Sequence, residues 1–257
     1  MRTFNTYGYT QIPEFAQRPY VYKNVLLLMA SDWFLDKKVL KLINEAVPAV
    51  ERFEKNLGFK NPEKTKLKSL IEQPLPEVYS MPFFSEEFCQ MLMEEVKNME
   101  NLLGFTPNYE EMPQHRINEF VLQNEAKDLY LSLMKIVLSK MNIIFQVLWN
   151  REVVAGGIQI ANYNPRKISE TAWHHDALSD ISVVVPLNSG KYEGGGTEFF
   201  GRGKIDPLPT GNALIFPSFT HLHRGLPVLK GDRYLLVFWL QFEARREEFY
   251  DEKGKEK

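Results

Sequence analysis

From residue 152 onward the chain is a series of short β-branched and aromatic runs: EVVAGGIQIANY, ISVVVPLN, GTEFF, NALIFP and RYLLVFWLQF, separated by Gly, Pro and Asn. Such runs suit a pleated, half-buried surface, and their punctuation suits turns. A parallel sheet needs crossover helices between its strands, and no long helical pattern interrupts this half. The expectation is a mainly β chain, a sandwich or jelly roll.

The first half reads differently. Residues 1–60 hold aromatic-rich irregular sequence and then KKVLKLINEAVPAVERFEKNLG, whose apolar residues recur at helical spacing, with Pro48 set to kink or divide the helix. NPEKTKLKSLIEQPLPE at 61–77 reads as a connector, charged at first and then proline-bearing. A second helix is capped by Ser85, carries Glu86 and Glu87 at its positive end and closes at Gly104. Its periodic positions are Phe88, Met91, Leu92, Glu95, Val96 and Met99, so Met91, Met93 and Met99 read as core. A third helix is expected over 125–147, with Leu129, Leu133, Ile136, Val137 and Lys140 along one side. The expected division is an extension over 1–70, a catalytic domain over 71–245 and a solvated charged tail over 246–257.

Composition removes some partners. The net charge is -2, from 31 basic and 33 acidic residues, so no electrostatic argument favours nucleic acid or an anionic membrane. VLLLMA at 25–30 is too short to span a bilayer. Cys89 is the only cysteine, which excludes an intrachain disulfide and favours a reducing compartment. MRTFNTYGYTQIPEF lacks the apolar core of a signal peptide, and the expected location is the cytosol. The first 60 residues would cover a substrate mouth or form a homodimer contact.

His174-His175-Asp176 stands at the head of one apolar run, with His221 and His223 in THLHRG and Arg233 opening the last run. Residues two apart on a strand share a face, so His174 and Asp176 can meet one ion while His175 looks elsewhere. His221 and His223 have the same parity, and strand geometry does not choose between them. Two His and one carboxylate on one face of iron(II) leave positions for a co-substrate and oxygen. A buried Arg fork suits the far carboxylate of an oxo-acid such as 2-oxoglutarate. Gly194-Gly195-Gly196 suits a close approach to a ligand and a hairpin turn equally well. His115 has no evident partner.

WHHDALSDISVVVPLN, KYEGGGTEFF and PTGNALIFPSFTHLHRGLPVLKGDRYLLVFWL resemble the catalytic domain of procollagen lysyl hydroxylases, within the wider prolyl/lysyl hydroxylase group of iron(II)/2-oxoglutarate dioxygenases. IEQPLPEVYSMPFFSEEFCQMLMEEV and MPQHRINEFVLQN resemble earlier parts of that domain, and the likeness runs over residues 70–243. It implies a double-stranded β-helix (jelly roll) core with flanking helices and a helical N-terminal region. It implies metal ligands at His174, Asp176 and His223, since the ten-residue step to the family's arginine selects His223 over His221. It implies Arg233 on the far carboxylate of 2-oxoglutarate, with Tyr163 and Asn188 in the co-substrate pocket. Thr197 stands where the collagen enzymes carry a cysteine after the three glycines.

The implied cofactors are Fe(II), 2-oxoglutarate as co-substrate, O2, and ascorbate as reductant. The implied reaction is hydroxylation of a lysyl or prolyl residue in a peptide or protein, with succinate and CO2 as co-products. Asp176 fills the position that halogenating relatives vacate, so hydroxylation is favoured. Unlike the animal collagen enzymes the sequence is cysteine-poor and shows no glycosyltransferase-like region, so the chemistry transfers better than the substrate. Competing readings are the same chemistry on a free amino acid or small metabolite, a cupin-type metal enzyme, and a non-catalytic binding module. Glu198, Asp180 and Glu193 are candidate contacts for a lysine ammonium.

Overall fold

Each of the five apolar runs becomes a strand in the computed structural model, which describes residues 34–43, 67–104, 106–107 and 117–242. In chain order the strands are β1 (Glu72–Leu75), β2 (Val78–Pro82), β3 (Thr106–Pro107), β4 (Asn118–Val121), β5 (Val153–Tyr163) and β6 (Ile181–Pro186). They continue with β7 (Glu193–Gly194), β8 (Thr197–Phe199), β9 (Gly203–Ile205), β10 (Asn212–Pro217), β11 (His223–Gly225), β12 (Val228–Lys230) and β13 (Arg233–Phe242). The helices are α1 (Glu86–Leu103), α2 (Leu122–Glu125), α3 (Lys127–Ile136) and α4 (Asn142–Trp149).

One large sheet runs β1-β2-β10-β6-β13-β5-β4-β3, and its pairings are antiparallel. Across from it lies a broken second layer. It comprises β11-β8-β9, the two-stranded β12-β7 pair, and an isolated bridge from His174 to His223. This is the jelly-roll core expected from the strand series. The alternation of β13 explains the two-sided packing. Tyr234, Leu236, Phe238, Leu240 and Phe242 join Ile158, Ile160, Val183 and Val185 against α1 and α3 in the main core. Arg233, Leu235, Val237, Trp239 and Gln241 face the interior of the roll and line a cavity there. A smaller core of Val78, Phe199, Ile205, Leu214 and Phe216 closes the β8-β9 end.

The second helix forms as its sequence predicts. The Ser85 hydroxyl accepts from the Phe88 amide at 3.1 Å, and Gly104 ends the helix with φ 69°. Phe88, Met91, Leu92, Val96 and Met99 are buried, with Glu95 among them. The third helix is less regular than expected. A π turn at Val137–Met141 separates α3 from α4, and α4 runs to Trp149. The Asn142 amide then faces β5, giving to the Val153 carbonyl at 3.0 Å and accepting from its amide at 2.8 Å.

The stretch read as a connector is a correction, because Glu72–Leu75 within it forms β1. Pro74 is tolerated there because β1 is an edge strand among the described residues, paired with β2 on one side. Of the first expected helix, 37–43 is helical, and Phe34, Leu35, Val39 and Ile43 are buried in the main core. Pro48, His115 and the charged tail lie outside the described residues.

Candidate active site

The imidazoles are brought together by main-chain pairing. His174 N donates to His223 O and His223 N to His174 O, each at 2.9 Å, which sets the two rings with centroids 4.4 Å apart. Each ring is then oriented by its other nitrogen. His174 Nδ1–H donates to Ala172 O at 2.8 Å, and His223 Nδ1–H to His221 O at 2.9 Å. That fixes the tautomer, so both Nε2 lone pairs point toward Asp176. His174 Nε2 lies 3.7 Å from Asp176 Oδ1, and His223 Nε2 lies 3.7 Å from Oδ2. One donor atom from each residue falls within 4.8 Å of the others, close enough to hold a metal ion.

Asp176 is itself held. The Ser182 hydroxyl donates to Asp176 Oδ2 and lies 2.8 Å from the Ser218 hydroxyl. Both serines are fully buried. Burial holds His223 well below the ordinary histidine range, down to about 4, with the Asp176 charge pulling the other way. A neutral imidazole is the form that binds a metal.

His221 lies outside the cluster, a distinction that parity could not supply. β11 begins at His223, so His221 lies in the preceding turn, where strand alternation does not apply. Its ring packs beside Phe199 and Phe216, with Nδ1 3.0 Å from Thr220 Oγ1 and Nε2–H donating to Pro76 O at 3.3 Å. His175 is exposed, its ring 6.3 Å from that of Phe219.

Arg233 opens β13 opposite Tyr163 and is only 4% exposed. Its Nη1 donates to Gly196 O at 3.1 Å, its guanidinium sits 5.6 Å from the Tyr163 ring centroid, and its buried Nε has no acceptor. Among the described residues no carboxylate lies within ion-pair reach of it. The glycine run does not turn a hairpin, since β7 pairs with β12 and β8 with β9 and β11. Gly194 pairs with Val228 there, while a Cβ on Gly195 would stand 3.2 Å from Arg233 Cδ. Burial pushes the Tyr163 phenol up to about 12, and its hydroxyl is hydrogen-bonded to Thr171.

His174, Asp176, His223, Arg233, Tyr163 and Thr197 all line one cavity of about 620 Å³. Asn188 does not. Its Nδ2 donates to Asp232 O at 2.8 Å and its Oδ1 accepts from Tyr234 N at 2.9 Å, clasping the end of β6 to the start of β13 on either side of Arg233. The three carboxylates weighed for an ammonium are also elsewhere. Glu198 pairs with Arg224 at 2.6 Å, Glu193 with Lys230 at 2.9 Å, and Asp180 accepts from Phe242 N. The sequence reading missed Glu119 and Gln159, which line the cavity from β4 and β5. Trp239 and Gln241 were legible in the alternation that begins at Arg233.

A family model for an OGFOD2-like domain matches residues 22–142. The chain is 31% identical over 187 residues to the Caenorhabditis elegans multifunctional procollagen lysine hydroxylase and glycosyltransferase, covering 66% of this chain and 25% of that protein. It is 27% identical over 184 residues to human procollagen-lysine,2-oxoglutarate 5-dioxygenase 2, covering 67% and 24%. The chain thus spans about a quarter of the length of these relatives. Among solved structures, a Pseudomonas putida prolyl-4-hydroxylase aligns with TM-score 0.51 at 20% identity, covering 64% of this chain and 92% of its own. A 2OG-Fe(II) oxygenase family oxidoreductase from Burkholderia pseudomallei aligns with TM-score 0.50 at 16% identity, covering 72% and 92%. The chain is therefore a homologue of the procollagen-lysine 2-oxoglutarate 5-dioxygenases, and its fold is that of the iron(II)/2-oxoglutarate oxygenases.

Proposed function

We propose that the chain is an iron(II)- and 2-oxoglutarate-dependent hydroxylase acting on a lysyl or prolyl residue of a polypeptide. The observation that carries this reading is Arg233, a buried cation with an unpartnered Nε and, among the described residues, no carboxylate in reach, in the same cavity as the His174–Asp176–His223 cluster. A buried charge is costly unless paired, so the cavity suits an anionic ligand that bridges the two. A dicarboxylate with one end at a metal and the other at Arg233 meets that requirement. The convergent Nε2 atoms and the carboxylate fit iron(II), which supplies when bound the positions where 2-oxoglutarate and O2 combine to give succinate, CO2 and a hydroxylated carbon, with ascorbate as reductant.

The protein's own part is positioning. Ala172 O and His221 O hold the imidazoles, and Ser182 with Ser218 holds the Asp176 carboxylate. Tyr163, Thr197, Leu235 and Val237 line the same cavity as Arg233 and the His174–Asp176–His223 cluster. The test is aerobic incubation with Fe(II), ascorbate, 2-oxoglutarate and lysyl or prolyl peptides, followed by succinate assay and mass spectrometry. Succinate with a one-oxygen gain on peptide is the expected result. Unchanged turnover in Arg233→Ala excludes the reading.

A further inference from the structure

We propose that Thr171 is a positioning residue that turns the Tyr163 hydroxyl into a donor for the far carboxylate of the co-substrate. This rests on the oxygenase reading and adds to it a residue outside both the metal cluster and Arg233. Thr171 lies between β5 and the bridge at His174, is buried, and lines the cavity. It grips β11 at Gly225, where its amide donates to Gly225 O at 3.2 Å and its Oγ1 accepts from Gly225 N at 2.7 Å. The same hydroxyl is hydrogen-bonded to that of Tyr163 on β5. A Cβ on Gly225 would stand 3.3 Å from Thr171 Oγ1 and 3.6 Å from Tyr163 Cε1, so the bare glycine leaves room for the two side chains to close over β11.

Protons and lone pairs decide the direction of the Thr171–Tyr163 bond. A threonine hydroxyl has one proton and two lone pairs, and the Gly225 N–H takes one of those lone pairs. An ionised carboxylate only accepts, so a carboxylate beside Tyr163 accepts from the phenol O–H. Burial keeps that phenol protonated, its value pushed up to about 12. The phenol oxygen is then left to accept, and the Thr171 Oγ–H is the donor bonded to it. The result is a one-way chain from Gly225 N–H through Thr171 and Tyr163 to the carboxylate, in which each bond polarises the next. Arg233 stands opposite Tyr163 in register, its guanidinium 5.6 Å from the ring centroid. Arg233 supplies charge to the carboxylate, and Thr171 supplies the orientation of its second donor.

The experiment loads the full chain with Mn(II) and reads 2-oxoglutarate binding by calorimetry, with oxalate as a chelator that lacks the far carboxylate. Thr171→Val keeps the branched shape and loses the hydroxyl. It is expected to weaken 2-oxoglutarate about fivefold or more while leaving oxalate within about twofold. Thr171→Ser, which retains the hydroxyl, is expected to stay within about threefold of wild type. In a Tyr163→Phe background Thr171→Val is expected to change affinity by less than about twofold, since the two hydroxyls act as one unit. Thermal melting checks folding, and Thr171→Cys, a weak donor, replaces the valine variant if that variant does not fold. Wild-type 2-oxoglutarate affinity in Thr171→Val overturns the assignment, as does an undiminished loss in the Tyr163→Phe background or an equal loss for oxalate. Failure of the wild type to bind 2-oxoglutarate removes the oxygenase reading and this inference together. Binding that responds to Arg233→Ala and not to Thr171→Val removes only the role of Thr171.

Discussion

Ser182 on β6 donates its hydroxyl to Asp176 in the loop before that strand, so the carboxylate of the His174–Asp176–His223 cluster is anchored to the large sheet. The Ser182 Oγ to Ser218 Oγ distance of 2.8 Å extends that anchor into a wholly buried relay. Ser182→Ala is expected to weaken metal affinity about tenfold or more, as loss of an outer-sphere partner typically does. It should also cost about 1–2 kcal/mol of stability, because Ser218 loses its partner. Titration with Co(II), together with denaturant unfolding of the metal-free protein, separates the two effects. Wild-type metal affinity in Ser182→Ala would show that Asp176 needs no such anchor.

The two histidines of THLHRG are expected to separate cleanly by phenotype. His223→Ala removes an imidazole whose Nε2 faces Asp176, and metal binding should fall by roughly 100-fold or more, in line with loss of a direct ligand. His221→Ala removes a buried ring packed on Phe199 and Phe216, and should lower the melting temperature while keeping metal affinity within a few-fold, on the cost expected for core truncation. The reverse pattern would reassign the ligand.

Gly195→Ala tests the close approach at Arg233. The residue has φ +78°, which an alanine adopts only under strain of roughly 1 kcal/mol, and the new Cβ would stand 3.2 Å from Arg233 Cδ. Binding of 2-oxoglutarate should weaken about tenfold, with metal affinity preserved, the guanidinium being displaced rather than lost. Calorimetry of both ligands decides it.

Cys89 offers a probe of global unfolding. Burial pushes its thiol up to about 12 from an ordinary value near 9, with Glu86 adding to the shift. A thiolate is the reactive form, so the native protein should resist iodoacetamide at pH 8 and react only as it unfolds. The sign for stability follows from the raised value. The folded state holds the proton more tightly, so this contribution is full below pH 9 and is lost as pH rises toward 12. Cys89→Ala should flatten that alkaline loss relative to wild type. Rapid native labelling would contradict the burial.

The strand series was legible because it rests on a local rule. Period-two alternation foretells that Arg233, Leu235, Val237 and Trp239 share a face, whereas His174 lies in an isolated bridge and Asp176 in the loop after it, so these two do not meet through strand alternation. His223 needed more, because the distinction from His221 depends on where β11 begins. The short strands β7, β9, β11 and β12 carry too few residues for a pattern to emerge. Asn188 has the right chemistry for a ligand contact, yet both ends of its amide are taken by the chain crossing at Asp232 and Tyr234. Glu119 gave no signal at all. Its place in the cavity wall arises from β4 joining the outer flank of β5, a pairing that links residues 40 apart in the Glu119–Gln159 contact.

That flanking position has an evolutionary corollary. Among the described strands β4 pairs with β5 and the two-residue β3, whereas the groups proposed for metal and co-substrate sit on β11, on β13 and in the loop before β6. Substitutions along β4 can therefore reshape one wall of the cavity without disturbing the elements that carry the cluster and Arg233. Diversification of such enzymes would be expected to concentrate on this outer strand.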